Sequence, residues 1–161
     1  MQKVTLICVG KLKEKFYQAA CGEYQKRLSR YCKLEVVELP EERLPEHPSQ
    51  AQITAALARE AEGIFARLPP SASLIALCIE GRMRSSEELA QLMAAWSNRG
   101  EKQQLVFVIG GSFGLHDSVK TRAWTQLSMS PMTFPHHLAR VMLLEQLYRS
   151  FKIDEGSSYH K

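Results

Sequence analysis

A chain of 161 residues with 45% hydrophobic content can enclose one continuous core and is too short to divide into several. Its net charge of +4 is only mildly basic, and no run nears the ~20 apolar residues of a membrane-spanning helix. Residues 4–9 are too short and wrongly flanked for a secretory leader, so the expectation is one soluble, cytoplasmic domain over residues 1–161.

In chain order, residues 4–9 read as a first strand and residues 14–31 as a helix with Phe16, Ala20, Tyr24, Leu28 and Tyr31 on a common side. Residues 34–39 form a second predicted strand. Pro40, Pro45 and Pro48 then hold an extended loop. Ser49 caps a helix whose Ile53, Leu57, Ile64, Phe65 and Leu68 point inward until Pro69 and Pro70 end it. Residues 74–79 are almost unbroken in apolar character, as in a central parallel strand covered on both faces, and Gly81 is expected to end it. Ser85 and Glu88 make a capping box for a helix carrying Leu89, Leu92, Met93 and Trp96. Another buried strand over 105–109 precedes a short helix over 117–124, a brief strand over 126–129 and a long helix over 135–152. Strands alternating with helices predict a doubly wound, mostly parallel α/β sheet joined by right-handed crossovers.

Cys8, Cys21, Cys32 and Cys78 include no C-x-x-C pair and read as small buried hydrophobes rather than a disulfide framework or a zinc site. Charge is unevenly spread. Lys3, Lys11, Lys13, Lys15, Lys26, Arg27, Arg30 and Lys33 face only Glu14 and Glu23, which suits either a solvated helix face or a phosphate-contacting one.

The chemistry-bearing candidates cluster in the last third. Gly110, Gly111 and Gly114 form a glycine-rich turn leaving a buried strand, suited to a tight turn or to close approach of a ligand. It is not the dinucleotide fingerprint, which follows a first strand and opens a full helix. Residues 128–136 form a loop of almost no charge, fit to read a neutral heterocycle with main-chain groups while Met and Phe side chains cover its faces. The same loop can serve as a helix entry, with Thr133 as cap and Pro135 at the first helical position. The long helix is apolar nearly all round, which predicts a subunit interface and a two-fold dimer, because one sheet face would not cover it. On it Glu145 and Arg149 are spaced for an ion pair, and Arg140 is the better candidate to face a substrate. The tail Tyr159-His160-Lys161 is either a frayed end or a set of groups able to stack on a base, accept a proton and meet a phosphate. The histidines lack H-E-x-x-H or cysteine partners, so no metal site is expected, and no G-x-S-x-G elbow supports a hydrolase.

Taken in order, Ile109-Gly110-Gly111-Ser112-Phe113-Gly114, Phe134-Pro135-His136 with Arg140, Glu145-Gln146-Leu147-Tyr148-Arg149 and Tyr159-His160-Lys161 strongly resemble the RlmH family of SPOUT-class ribosomal RNA methyltransferases. The resemblance spans the chain in length and strand order, and its specific motifs lie between Ile109 and Lys161. It implies a sheet whose C-terminal segment is threaded into a trefoil knot, and a homodimer acting on 23S rRNA within the assembled ribosome. The implied reaction moves a methyl group from S-adenosylmethionine to N3 of a pseudouridine, without metal or membrane. By residue match the cofactor would lie against Leu77, Gly110 and Gly111 and against the loop Ser130, Pro131, Met132, Thr133, Phe134 and Pro135. His136, Arg149 and Lys161 would contact the substrate. Tyr159, His160 and Arg140 would stand nearest the chemistry, the first two from either subunit.

Overall fold

The computed structural model describes residues 1–100 and 103–161. Strands and helices alternate as β1 (Lys3–Val9), α1 (Lys15–Leu28), β2 (Lys33–Leu39), α2 (Gln50–Ala66), β3 (Ser73–Met83), α3 (Ser86–Ser97), β4 (Leu105–Ile109), α4 (Asp117–Arg122), β5 (Thr125–Ser128) and α5 (His136–Asp154). Every strand pairing is parallel, in the order β2-β1-β4-β3-β5, so the carboxyl ends of the strands gather along one edge.

The two-residue period of a strand divides the core. Val4, Leu6 and Cys8 of β1 lie with Leu105, Phe107 and Ile109 of β4 on one face, under Leu28, Trp96 and Leu143 of α1, α3 and α5. Ile7, Val9, Val106 and Val108 point the other way, toward Ile64 of α2 and Val119 of α4. Helices thus cover both faces, as the doubly wound reading predicted. Ser49 and Ser85 each complete a capping box, with Gln52 and Glu88 respectively, which satisfies orphan amides at the starts of α2 and α3.

Two expectations are corrected. Gly81 does not end β3. Leu127 of β5 pairs with both Leu77 and Arg82, so residues 78–81 bulge out and the strand resumes as far as Met83. A Cβ on Gly81 would lie 2.8 Å from the Gln126 carbonyl carbon, so the residue type permits the return rather than stopping the strand. Second, Phe16 is 67% exposed and Phe65 37% exposed; the covered stripe of α1 runs instead through Tyr17, Cys21, Tyr24 and Leu28. Much of the cover of α5 comes from its own chain, while most of its other residues are only half-buried. It lies between α1 and α3 with β4 beneath, Leu143, Leu144 and Leu147 are fully buried, and no residue from 136 to 153 is fully exposed. Flanking helices supply the cover that a sheet face alone would not.

Candidate active site

At the carboxyl edge a cleft of about 760 Å3 opens among the ends of β3 and β4 and the segment joining β5 to α5. Its floor is the turn after β4. A Cβ on Gly110 would lie 2.2 Å from the Gly114 carbonyl oxygen, and one on Gly111 would lie 2.5 Å from Glu41 Oε1. A Cβ would therefore collide at both positions, although the cause differs and only at Gly110 is the obstacle fixed backbone. At Gly110 it is the backbone of the turn, closed by the Gly114 amide donating to the Gly111 carbonyl at 3.1 Å. At Gly111 it is a carboxylate from the loop after β2, which accepts the Ser112 amide at 2.7 Å.

Leu77 and the β3 bulge form one wall, and the segment after β5 forms the other, through Ser130, Met132, Thr133, Phe134 and Pro135. Ser130 Oγ accepts the Met132 amide at 3.0 Å, and its carbonyl accepts Ser128 Oγ at 3.1 Å, which folds this wall back on itself. Pro131 is exposed and is not among the lining residues. Thr133 does not cap α5: Pro135 occupies the cap position and no side-chain cap bond forms, so the helix starts one residue later than expected.

The lining is close to electrically neutral. Lys120 is paired with Glu80, whose carboxyl is held below its usual range by that hydrogen bond. His136 stands at the junction of cleft and α5. Burial first, and then the neighbouring His137, push its pKa down, so at neutral pH the imidazole is uncharged. A nucleotide phosphate would find no unpaired lysine or arginine among the described lining residues, whereas a neutral ring would find glycine backbone, Met132 and Phe134.

Arg140 does not face this cleft as expected. It is 3% exposed, with Nη1 donating to Glu38 Oε2 at 2.8 Å and Nη2 to the Gly10 carbonyl at 3.2 Å. Burial would raise the Glu38 pKa, but the Arg140 hydrogen bond, the Leu12 amide at 3.0 Å and the guanidinium charge outweigh it and hold it below the usual value. Arg140 is thus a strut tying α5 to the ends of β1 and β2.

The tail also lies elsewhere in its own chain. The Tyr159 ring stacks on Tyr148 at 5.0 Å beneath the Arg149 guanidinium, and its hydroxyl donates to Glu145 at 3.3 Å. His160 meets Arg149 through Nδ1 at 3.1 Å and Glu87 through Nε2 at 2.7 Å, while Lys161 is exposed. Arg149, itself paired with Glu145, is 13 positions beyond His136 on α5, roughly 20 Å along the axis. One chain therefore brings together the cleft and His136 but not Tyr159, His160, Lys161 or Arg149.

A family model described as "Predicted SPOUT methyltransferase" matches residues 2–160. The chain belongs to the SPOUT methyltransferase family. It is 49% identical over 158 residues to a Clostridium novyi (strain NT) protein named ribosomal RNA large subunit methyltransferase H, an alignment covering 98% of this chain and 99% of that one. Among solved structures it is similar to a probable methylase family protein from Haemophilus influenzae Rd KW20, with a TM-score of 0.52 and 14% identity, over 99% of this chain and 70% of the other. That likeness concerns the fold alone.

Two parts of this SPOUT methyltransferase's cleft escaped sequence reasoning. The bulge residues Cys78, Ile79 and Glu80 line it, and the available signal was a glycine inside an apolar strand, which marks a bulge as readily as an end. Glu41 braces the glycine turn from the segment that reads only as a proline-held extended loop, and no local pattern announces a contact across 71 residues. Among the described residues, no group of three or more His, Cys, Asp or Glu side chains is arranged to hold a metal, and no helix is long and apolar enough to cross a membrane.

Proposed function

We propose that this methyltransferase moves the methyl group of S-adenosylmethionine to large-subunit 23S rRNA, at N3 of a pseudouridine, on assembled cytoplasmic ribosomes and as a homodimer. The observation that carries the reading is the neutral, glycine-floored cleft, in a chain half identical to a protein named for large-subunit rRNA methylation. The donor fits what is present: the volume suits a nucleoside-sized ligand, and Gly110 and Gly111 line the cleft without side chains, in a turn packed closely on Gly114 and Glu41. Leu77, the glycine turn and the Ser130 to Pro135 segment would hold it. When bound, it supplies an electrophilic methyl with a neutral leaving group.

The chain's own task is to orient the acceptor nitrogen toward the methyl and take up the imide proton. Neutral His136 at the cleft edge would contact the base. Tyr159, His160, Arg149 and Lys161 lie too far along α5 to do so within one chain, so the reading requires a second copy whose tail reaches this cleft. A groove of about 500 Å3 along α5, flanked by Tyr24, Met142 and Glu145, leaves room for such packing.

Labelled methyl from S-adenosylmethionine is expected to enter intact ribosomes in preference to free 23S rRNA, at one nucleotide located by mapping. No label in ribosomes, subunits or free rRNA sinks the proposal. His160→Ala is expected to lower the turnover number roughly 100-fold or more, the low end of the range for loss of one acid–base group, while cofactor affinity by calorimetry stays within about threefold. An unchanged rate removes His160 from the mechanism.

A further inference from the structure

The stretch after β1 carries Lys11, Lys13 and Lys15 within five residues, all exposed and with no ion-pair partner among the described residues, and in the first turn of α1 the last of them is followed by the exposed Phe16. The lysines lie at the carboxyl edge of the sheet, beside the cleft. A Cβ on Gly10 would sit 3.3 Å from His136 Nε2, so this loop leaves β1 against the cleft wall. From there a continuous run of rings leads outward. His136 contacts His137 at 4.2 Å, His137 faces Tyr17 at 6.1 Å, and Tyr17 lies 4.4 Å from Phe16.

The loop is held rather than loose. The Gly10 carbonyl accepts from buried Arg140, the Leu12 amide donates to Glu38, and Gln18 Nε2 donates to the Leu12 carbonyl at 2.9 Å. Leu12 is buried, which anchors the segment between lysines on either side. Glu14 is the one carboxylate inside the segment, and it is turned toward His137 Nδ1 at 3.5 Å. A buried strut thus fixes three unneutralised cations and an exposed aromatic in the position of a ramp into the cleft.

We propose that this ramp receives the RNA: phosphates of an unpaired loop lie on Lys11, Lys13 and Lys15, and a base flanking the target stacks on Phe16. This rests on the RNA methyltransferase reading and names the surface by which its substrate enters. Charge complementarity selects a polyanion, and the exposed ring selects one with unstacked bases, as in a hairpin loop rather than a duplex.

The test is equilibrium binding of a synthetic RNA hairpin with an unpaired loop, across a salt series, alongside methyl transfer to ribosomes and calorimetry with S-adenosylmethionine. Replacing the three lysines with alanine is expected to weaken hairpin binding at least tenfold and flatten the log–log salt slope by about 2, at roughly 0.7 per lost phosphate contact. Phe16→Ala is expected to cost roughly tenfold, within the range for one stacked base, with Phe16→Trp restoring it and the salt slope unmoved. Cofactor affinity should not change in any of them. Wild-type slope and affinity in the lysine variant, equal competition by a blunt RNA duplex, or a Phe16→Ala defect that appears in self-association instead of RNA binding would each overturn the ramp. If the wild-type protein binds the hairpin but methylates no RNA, the functional reading fails while the ramp stands.

Discussion

Gly110→Ala is expected to abolish cofactor binding in the working range, weakening affinity at least 100-fold, or about 2.8 kcal/mol at 1.4 kcal/mol per decade. The added methyl would lie 2.2 Å from the Gly114 carbonyl oxygen and 2.5 Å from its carbon, far inside van der Waals contact. Both are backbone atoms of a turn closed by a Gly111–Gly114 bridge, with Gly114 at φ +83°, so relief requires opening the turn itself. Overpacking of this kind costs on the order of 1–3 kcal/mol of stability, tolerable for the fold, while the floor of the cleft moves. Gly111→Ala makes an informative contrast. Its methyl meets Glu41 Oε1 at 2.5 Å, the end of a side chain that can swing away at the expense of the Ser112 amide bond. A smaller loss is expected there, and combining it with Glu41→Ala should recover part of it, because the obstruction is then gone. Glu41→Ala should do nothing for Gly110→Ala. Calorimetry on the four variants decides: equal effects of the two glycine substitutions, or rescue of both, would mean that the turn is not rigidly closed.

The fold was legible in the sequence wherever the hydrophobic pattern was long and local. Residues 105–109 have no polar member and could only be a strand covered on both faces, and Ser85 with Glu88 announced the start of α3. Legibility failed where a residue's meaning depended on a distant partner. Phe16 looked like the first member of an apolar stripe, yet it is exposed, and distant contacts such as that of Tyr17 with His137 show that the covered side lies one position further on. Gly81 was read as an end because a glycine in a strand carries two meanings, and the register with β5 decides between them. In the site, the glycine turn and the uncharged segment before α5 were recognisable from composition and do meet at one cleft. Arg140 was misjudged because a helical wheel gives direction but not depth: its side points toward the β1 and β2 ends, where Glu38 lies 102 positions earlier in the chain.

Arg140→Met provides the sharpest test of that last point. A methionine keeps much of the aliphatic stem's packing but leaves Glu38 and the Gly10 carbonyl without their donor. Removing one partner of a fully buried pair costs several kcal/mol; Glu38 is about a third exposed, with 35% of its side chain accessible, so water offsets part of this and roughly 2–3 kcal/mol is expected. For a chain of this size that lowers the thermal midpoint by roughly 5–10 °C. The pH dependence follows from the sign of the Glu38 shift. Its folded pKa lies below the ordinary 4.5, so the pair's contribution is complete above that value and is lost as pH falls through the folded pKa. The gap between wild type and variant should therefore be widest near neutrality and narrow below about pH 4.5. At temperatures well under its midpoint the variant should bind S-adenosylmethionine within a few-fold of wild type, because none of the atoms Arg140 holds lines the glycine floor. Hairpin binding should weaken, since the Gly10 to Leu12 loop loses its fastening. A variant with unchanged midpoint and unchanged pH profile but no methyl transfer would show the opposite: that Arg140 acts on the substrate and that the strut is incidental.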